Sequence, residues 1–374
     1  MLSKPHMVSI KQPASFLCVQ SHRGLSCHRG LRGLNMLRPL QKNIRRVVNQ
    51  SSCKLKRQGI FKRITIFRQR RNRWKKTLVT DRGAKLIIEE LIDLFLAEDA
   101  PPLFRNIEIE TVNRCNGNCS FCPVGKKRDP RAYCKMSREL FASIINQLRE
   151  LHYDGSISLY SNNEPLLDAR IYEFAAMSKA SVPKARIVLF TNGKLLTVEK
   201  FQKLIPHLDL LVVNDYTKEG QLHDNVRELK VYWEGNKTYG KEICFNLRKP
   251  DVILTTRGGA APNRTVIPPI RSSCLMLFCQ MIVRPDGKLS LCCNDPLGQY
   301  TLGDLKTESL VDAWRGNLYK RAREKLRQGR SQLHSCNVCD AFLGMEHFEL
   351  EKLPCYYSLC PHWNFSAVKG SSPL

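Results

Sequence analysis

The sequence predicts an α/β chain folded as an open or partial (β/α)6 barrel, TIM-like in layout, followed by a small β-hairpin plus helix. Three observations predict it. Short apolar runs alternate with amphipathic helical segments, the helical segments open on good capping residues, and the unusual polar motifs all fall where strands end. The strands are expected at 107–112 (IEIETV), 156–160 (SISLY), 186–191 (RIVLFT), 209–213 (DLLVV), 243–247 (ICFNL) and 252–256 (VILTT). Between them, helices are expected from Ser137, Asp168 and Thr197, each a residue type that caps a helix N-terminus. Such alternation implies parallel βα units with right-handed crossovers. An earlier helix is expected over 84–99, where apolar residues recur at helical spacing and stop before Pro101 and Pro102.

Composition divides the chain before that helix. Residues 1–80 hold 20 Lys and Arg and no acidic residue, which leaves only +6 of the total net charge of +26 to the rest. We read residues 1–83 as a basic, poorly ordered or partly helical extension. An organelle transit segment and an arm for an anionic partner are the alternatives. The barrel is expected over 84–262, the hairpin-and-helix unit over 263–345 and a tail over 346–374. No apolar run is long enough to span a bilayer, and no signal-peptide segment opens the chain. Sixteen cysteines, clustered at two- and three-residue gaps, suggest metal ligation in a reducing compartment rather than a disulfide framework. The reading is therefore a cytoplasmic protein, with organelle targeting by the extension left open.

Cys115, Cys119 and Cys122 follow the first expected strand in "CNGNCSFC". Three thiolates from one loop can hold three corners of a cubane iron-sulfur cluster and leave the fourth iron open to a small molecule. Structural zinc is the competing reading, but it wants a fourth ligand, and the nearest thiol is Cys134. "SNNEP", "TNG", "ND" and "RGG" follow later strands and so converge on the same edge of a parallel sheet.

The C-terminal third carries a second thiol set. "QMIVRPDGKLSLCC" has the pattern of a hairpin turning at Pro285–Gly287, and a helix through "SLVDAWRGNLYKRAREKLRQG" leads to "SCNVC". Cys274, Cys292, Cys336 and Cys339 would then form a closed four-thiolate site, holding either an iron-sulfur cluster or zinc. Cys279 could take the place of Cys274, and Cys244, Cys293, Cys355 and Cys360 read as core thiols.

"CNGNCSFC", "NNEP" and "TNG" together resemble the radical S-adenosylmethionine enzymes. The second thiol set resembles their SPASM extension, in its shortened, one-cluster twitch form. The resemblance implies a partial (β/α)6 barrel, a 4Fe-4S cluster on Cys115, Cys119 and Cys122, one auxiliary 4Fe-4S cluster, and S-adenosyl-L-methionine bound at the open iron. It places Phe121 against the adenine, Asn163 and Glu164 near the methionine amino group, and Asn192 near the cofactor. Where the family usually reads "GGEP", this chain has Asn162 and Asn163 in place of both glycines. It implies an external one-electron donor such as flavodoxin or ferredoxin.

The implied reaction is two-electron oxidation of a small substrate, at a secondary alcohol of a sugar or aminocyclitol. Arg257, at the end of the sixth expected strand, could polarise the alkoxide. The alternative within the family is a maturase for a ribosomal peptide or protein. A zinc-stabilised nucleic-acid-binding protein would explain the basic start but not "NNEP", "TNG" or the barrel alternation, so a nucleic-acid partner is disfavoured.

Overall fold

The computed structural model describes residues 92, 93, 96, 103–236, 241–264 and 274–340. The basic extension and the tail lie outside the described residues, as do Cys355 and Cys360. The expected helix over 84–99 is described only at Ile92, Asp93 and Leu96, which are helical. Among the described residues no helix is long and apolar enough to cross a membrane.

Among the described residues seven strands form one sheet in the order β5-β4-β3-β2-β1-β6-β7. They are β1 (Asn106–Ile109), β2 (Ser156–Ser158), β3 (Arg186–Thr191), β4 (Leu210–Tyr216), β5 (Glu242–Arg248), β6 (Gln280–Val283) and β7 (Leu289–Ser290). β1 to β6 all run parallel, and only β7 is antiparallel, as the return strand of a hairpin with β6. The loops that leave β1 to β6 therefore open on one edge of the sheet.

The helices pack their apolar stripes on this sheet. α1 (Arg138–Glu150) begins where Ser137 Oγ accepts the Leu140 N–H, and it buries Phe141, Ile144, Ile145 and Leu148. α2 (Ile171–Ser181) starts two residues later than expected, because Asp168 turns its carboxylate to Arg170 instead of capping. Phe141 stacks on Phe174 of α2 at 4.1 Å between ring centroids, and each such fully buried ring contributes about 1.5–3 kcal/mol. α3 (Val198–Leu204) is capped by Thr197 as expected, and α4 (Asp224–Gly235) follows β4.

Three expectations change in the structure. Residues 252–256 form no strand, and the sixth parallel strand is β6, which pairs with β1 at the other side of the sheet. The reason lies in the polar residues of "VILTT". Thr256 N–H donates to Asp340 Oδ1 at 2.5 Å and its hydroxyl to the Val338 carbonyl at 2.8 Å, so the segment docks on the last cysteine loop, while Ile253 is 61% exposed. Consequently Arg257 stands in a turn rather than at a strand end. Second, the hairpin of the expected 263–345 unit adds its two strands to the main sheet. Third, the expected long C-terminal helix is two, α6 (Leu310–Arg315) and α7 (Asn317–Arg327), because Gly316 adopts an extended ψ of 165° between them.

Two short helices complete the described chain, α5 (Met276–Cys279) and α8 (His334–Asn337).

Candidate active site

The first cysteine loop leaves β1 and folds tightly over the sheet edge. Cys115 Sγ accepts the Gly117 N–H at 3.3 Å, and Cys122 N–H donates to the Cys119 carbonyl at 3.1 Å. A Cβ on Gly117 would sit 3.3 Å from Cys115 Sγ and 3.9 Å from Cys119 Sγ, so this glycine keeps open the space between two sulfurs. Cys134, the local candidate for a fourth ligand, instead feels Asp286 and Lys306 beside the hairpin turn.

Burial pushes the Cys115 thiol up to about 12 and the Cys119 thiol to about 11, with neighbouring thiols adding to the effect. Near neutral pH these sulfurs become thiolates only if a strongly positive partner compensates the lost solvation. Among the described residues no three Cys, His, Asp or Glu side chains converge as a single ion would require.

Glu164 is buried and ties three loops together. Its backbone N–H donates to the Arg114 carbonyl at 2.8 Å, beside Cys115. Its carboxylate accepts from Leu166 N–H at 3.1 Å, Thr191 Oγ1 at 2.7 Å and Asn192 N–H at 2.7 Å. Burial raises its pKa while these three donors oppose the shift. The carboxylate is thus a brace between "NNEP" and "TNG", and Glu164 acts on any ligand by positioning.

Asn192 in turn donates from Nδ2 to Asn116 Oδ1 at 2.7 Å and approaches Cys115 Sγ at 3.8 Å. Gly193 has φ +77°, and a Cβ there would meet Val213 and Val226 at 2.8 and 2.9 Å, so glycine is required to turn the chain back after β3. Asn163 accepts the Ser161 N–H, while its Nδ2 is buried with no hydrogen-bond partner among the described residues. Such an orphaned donor in a polar pocket fits a ligand that supplies the acceptor. Phe121 is buried, with its ring 5.5 Å from that of Tyr216 at the end of β4.

Arg257 joins this first set to the second. It donates to Asn162 Oδ1, while its own backbone, with Gly258 and Gly259, takes positive φ values of 52°, 61° and 89°. That left-handed run presses the chain on the auxiliary loops: a Cβ on Gly258 would lie 2.6 Å from the Asn294 carbonyl, and one on Gly259 2.7 Å from Val338. The "RGG" motif is thus a wedge between the hairpin end and the last cysteine loop.

Cys274, Cys336 and Cys339 lie near enough to Cys292 for their charges to act on it. Cys292 is raised first by burial and then by the charges of Cys293, Cys336, Cys339 and Cys274, and burial pushes Cys336 up to about 12. Cys279 is placed elsewhere, its thiol donating to the Leu275 carbonyl at 3.3 Å within α5. Of the two sequence alternatives, Cys274 is the one whose charge acts on Cys292.

Sequence reasoning missed two residues here. Cys293, read as a core thiol, is raised first by burial, and the charges of Glu108, Arg257, Cys339 and Cys274 also act on it. Glu108 is buried in β1, where its carboxylate accepts from Ser161 Oγ and Gln280 Nε2, both at 2.8 Å. Burial pushes its pKa up to about 7, against the Ser161 bond, the Arg257 charge and a bond with Asn106. The alternation in "IEIETV" was the available signal, since it put an acid on a strand with no exposed side.

The protein-family model described as the radical SAM superfamily matches residues 109–214, and the one described as an iron-sulfur cluster-binding domain, SPASM, matches residues 274–340. The chain carries a radical S-adenosylmethionine domain followed by a SPASM domain. As a radical SAM enzyme with a SPASM-type domain, it uses 4Fe-4S clusters and S-adenosyl-L-methionine. The S-adenosyl-L-methionine-dependent 2-deoxy-scyllo-inosamine dehydrogenase of Niallia circulans is 26% identical over 242 residues, 64% of this chain and 93% of that enzyme. A crystal structure of BtrN in complex with AdoMet and 2-DOIA shares the fold of this radical SAM enzyme with a TM-score of 0.57 and 24% identity, over 66% of this chain and 97% of the other.

Proposed function

We propose that this enzyme oxidises a secondary alcohol of an aminocyclitol or sugar to the ketone. The observation that carries the reading is the placement of Arg257, bonded to Asn162 of the first loop set while its own turn is wedged against the second. The activity of the Niallia circulans relative points to the same substrate class, and the peptide-modifying alternative draws no support from it.

Cys115, Cys119 and Cys122 would hold one 4Fe-4S cluster, and Cys274, Cys292, Cys336 and Cys339 the auxiliary one. Phe121, Asn163 and Asn192 would line the S-adenosyl-L-methionine site, with Glu164 holding their loops in register. Bound there, the cofactors would supply one-electron chemistry for removing a hydrogen atom from the carbinol carbon and an acceptor for the second electron.

The chain's own residues manage the remaining proton and the geometry. The Arg257 guanidinium orients the hydroxyl and stabilises negative charge on its oxygen. Glu108, with a pKa of about 7 and within the field of Arg257, is poised to receive the proton. The buried surroundings of Glu108, Glu164 and Asn192 exclude water from a reactive carbon centre.

The compartment we propose is a reducing one such as the cytoplasm. The test is anaerobic reconstitution with iron and sulfide, an iron count, and incubation with S-adenosyl-L-methionine and a panel of aminocyclitols. About eight irons, 5'-deoxyadenosine and one ketone per deoxyadenosine are expected. Protein holding only zinc, or deoxyadenosine formed without loss of any alcohol, overturns the reading.

A further inference from the structure

The turn immediately after the third cysteine carries a basic, aromatic surface that the chemistry above does not use. Lys126, Lys127 and Arg128 are exposed in sequence, and Tyr133, a few residues on, is 65% exposed. The Arg114 guanidinium lies over that ring at 5.3 Å, which fixes an amphipathic side chain at the surface. The acids of the same turn do not neutralise it. The Asp129 side chain is only 4% exposed and is engaged by Arg131 and Arg114, and Glu110 is buried against Arg131.

This surface is the outer wall of the first cysteine loop. Arg128 donates to the carbonyls of Cys119 and Ser120, both at 3.2 Å, and Lys126 N–H donates to the Gly117 carbonyl at 2.8 Å. A Cβ on Gly125 would stand 3.3 Å from that same carbonyl, so the turn and the loop are in backbone contact.

We infer that Lys126, Lys127, Arg128 and Tyr133 form the docking surface for an acidic one-electron donor protein, placing its redox centre against the Cys115–Cys122 loop. The inference rests on the reading that this loop holds a reducible cluster. One electron passes, the donor's flavin or iron-sulfur centre is oxidised and the cluster is reduced; no bond is made or broken. Opposite charge steers the encounter, and an exposed aromatic ring beside arginine is the composition of an interface anchor. A nucleic acid would match the charge equally, but the direct bonds from this turn to the Cys119 backbone favour a redox partner.

The test uses reconstituted holoenzyme carrying Lys126→Glu with Lys127→Glu, and separately Tyr133→Ala. Deoxyadenosine formation is measured with dithionite and with reduced flavodoxin or a reduced acidic ferredoxin, and donor binding is measured by fluorescence anisotropy. With the protein donor, the charge reversal is expected to lower kcat/KM about 10-fold or more and to weaken binding in parallel, with added salt doing the same to the parent enzyme. Tyr133→Ala is expected to weaken binding with little change in salt dependence. Rates with dithionite should stay within about 2-fold of the parent, as expected of a rim charge outside the chemistry.

Unchanged donor kinetics and binding in both variants overturn the inference. So does an equal fall with dithionite, which would make the turn a structural support, or loss of self-association or nucleic-acid binding with donor kinetics intact. If dithionite yields no deoxyadenosine even in the parent, it is the cluster reading that fails.

Discussion

Glu164 Oε2 accepts a 2.7 Å hydrogen bond from the backbone N–H of Asn192, and Asn192 in turn reaches Cys115 and Asn116. One buried carboxylate therefore sets the spacing between the loop after β3 and the cysteine loop after β1. Removing it as Glu164→Ala leaves the Thr191 hydroxyl and two backbone N–H groups without their acceptor. The expected cost is about 2–4 kcal/mol, read as a lower thermal midpoint, together with weaker S-adenosyl-L-methionine binding by calorimetry. Glu164→Gln should recover most of the stability.

Glu108 makes stability depend on pH in a defined direction. Its folded pKa of about 7 lies above the ordinary 4.5, so the native state holds its proton more tightly than the unfolded chain. Its contribution is present in full below pH 4.5 and is lost as pH rises toward 7, by at most about 3 kcal/mol. Glu108→Gln should flatten that portion of the stability curve, measured by denaturant titration at a series of pH values. If Glu108 also takes the substrate proton, the same variant loses the acidic limb of the kcat profile.

Arg257→Ala should slow ketone formation by about 100-fold, the usual effect of removing one charge-stabilising donor. Deoxyadenosine should continue to form, so the ratio of deoxyadenosine to ketone rises well above one. Asn162→Ala, which removes only the anchor of the guanidinium, should give a smaller change in the same direction, with Arg257→Lys between the two.

Gly258→Ala tests the wedge. Its φ of +61° and the 2.6 Å approach of a Cβ to the Asn294 carbonyl leave no room for a side chain. The turn must shift, and with it the support under the loop of Cys336 and Cys339. The expected result is about half the parent's iron content, with deoxyadenosine production retained.

The converse variant, Cys115, Cys119 and Cys122 all to Ala, should keep the auxiliary iron, about four atoms, and make no deoxyadenosine. Iron analysis and chromatography of the nucleoside products decide both cases.

Local signals were the readable ones. Ser137 and Thr197 cap their helices as their side chains predict, and runs such as "RIVLFT" can be buried in few ways other than as a parallel strand. The cysteine triplet was visible because its spacing is itself the motif. Residues 252–256 were misread because two threonines in an apolar run look like strand, and only the distant Asp340 and Val338 show where their polar groups go. The separation of α6 from α7 turned on one glycine, and glycine is tolerated inside helices often enough to carry little warning. Glu164 was legible as a site residue but not as a brace, since its partners come from another loop. Cys274 stands just before α5 and Cys279 at its end, and which thiol faces the others is a matter of packing that spacing does not encode.

The pairing of β1 with β6 has a consequence for biosynthesis. The strand that launches the first cysteine loop is flanked on one side by a segment that leaves the ribosome much later, from within the SPASM-matching region. Its hydrogen-bond ladder is thus completed only after most of the chain has been synthesised, a long-range closure of the slow-folding kind. Iron loading of the nascent polypeptide at the early triplet would precede its finished support, so maturation in the cell should be post-translational, and C-terminal truncation should cost both metal centres rather than one.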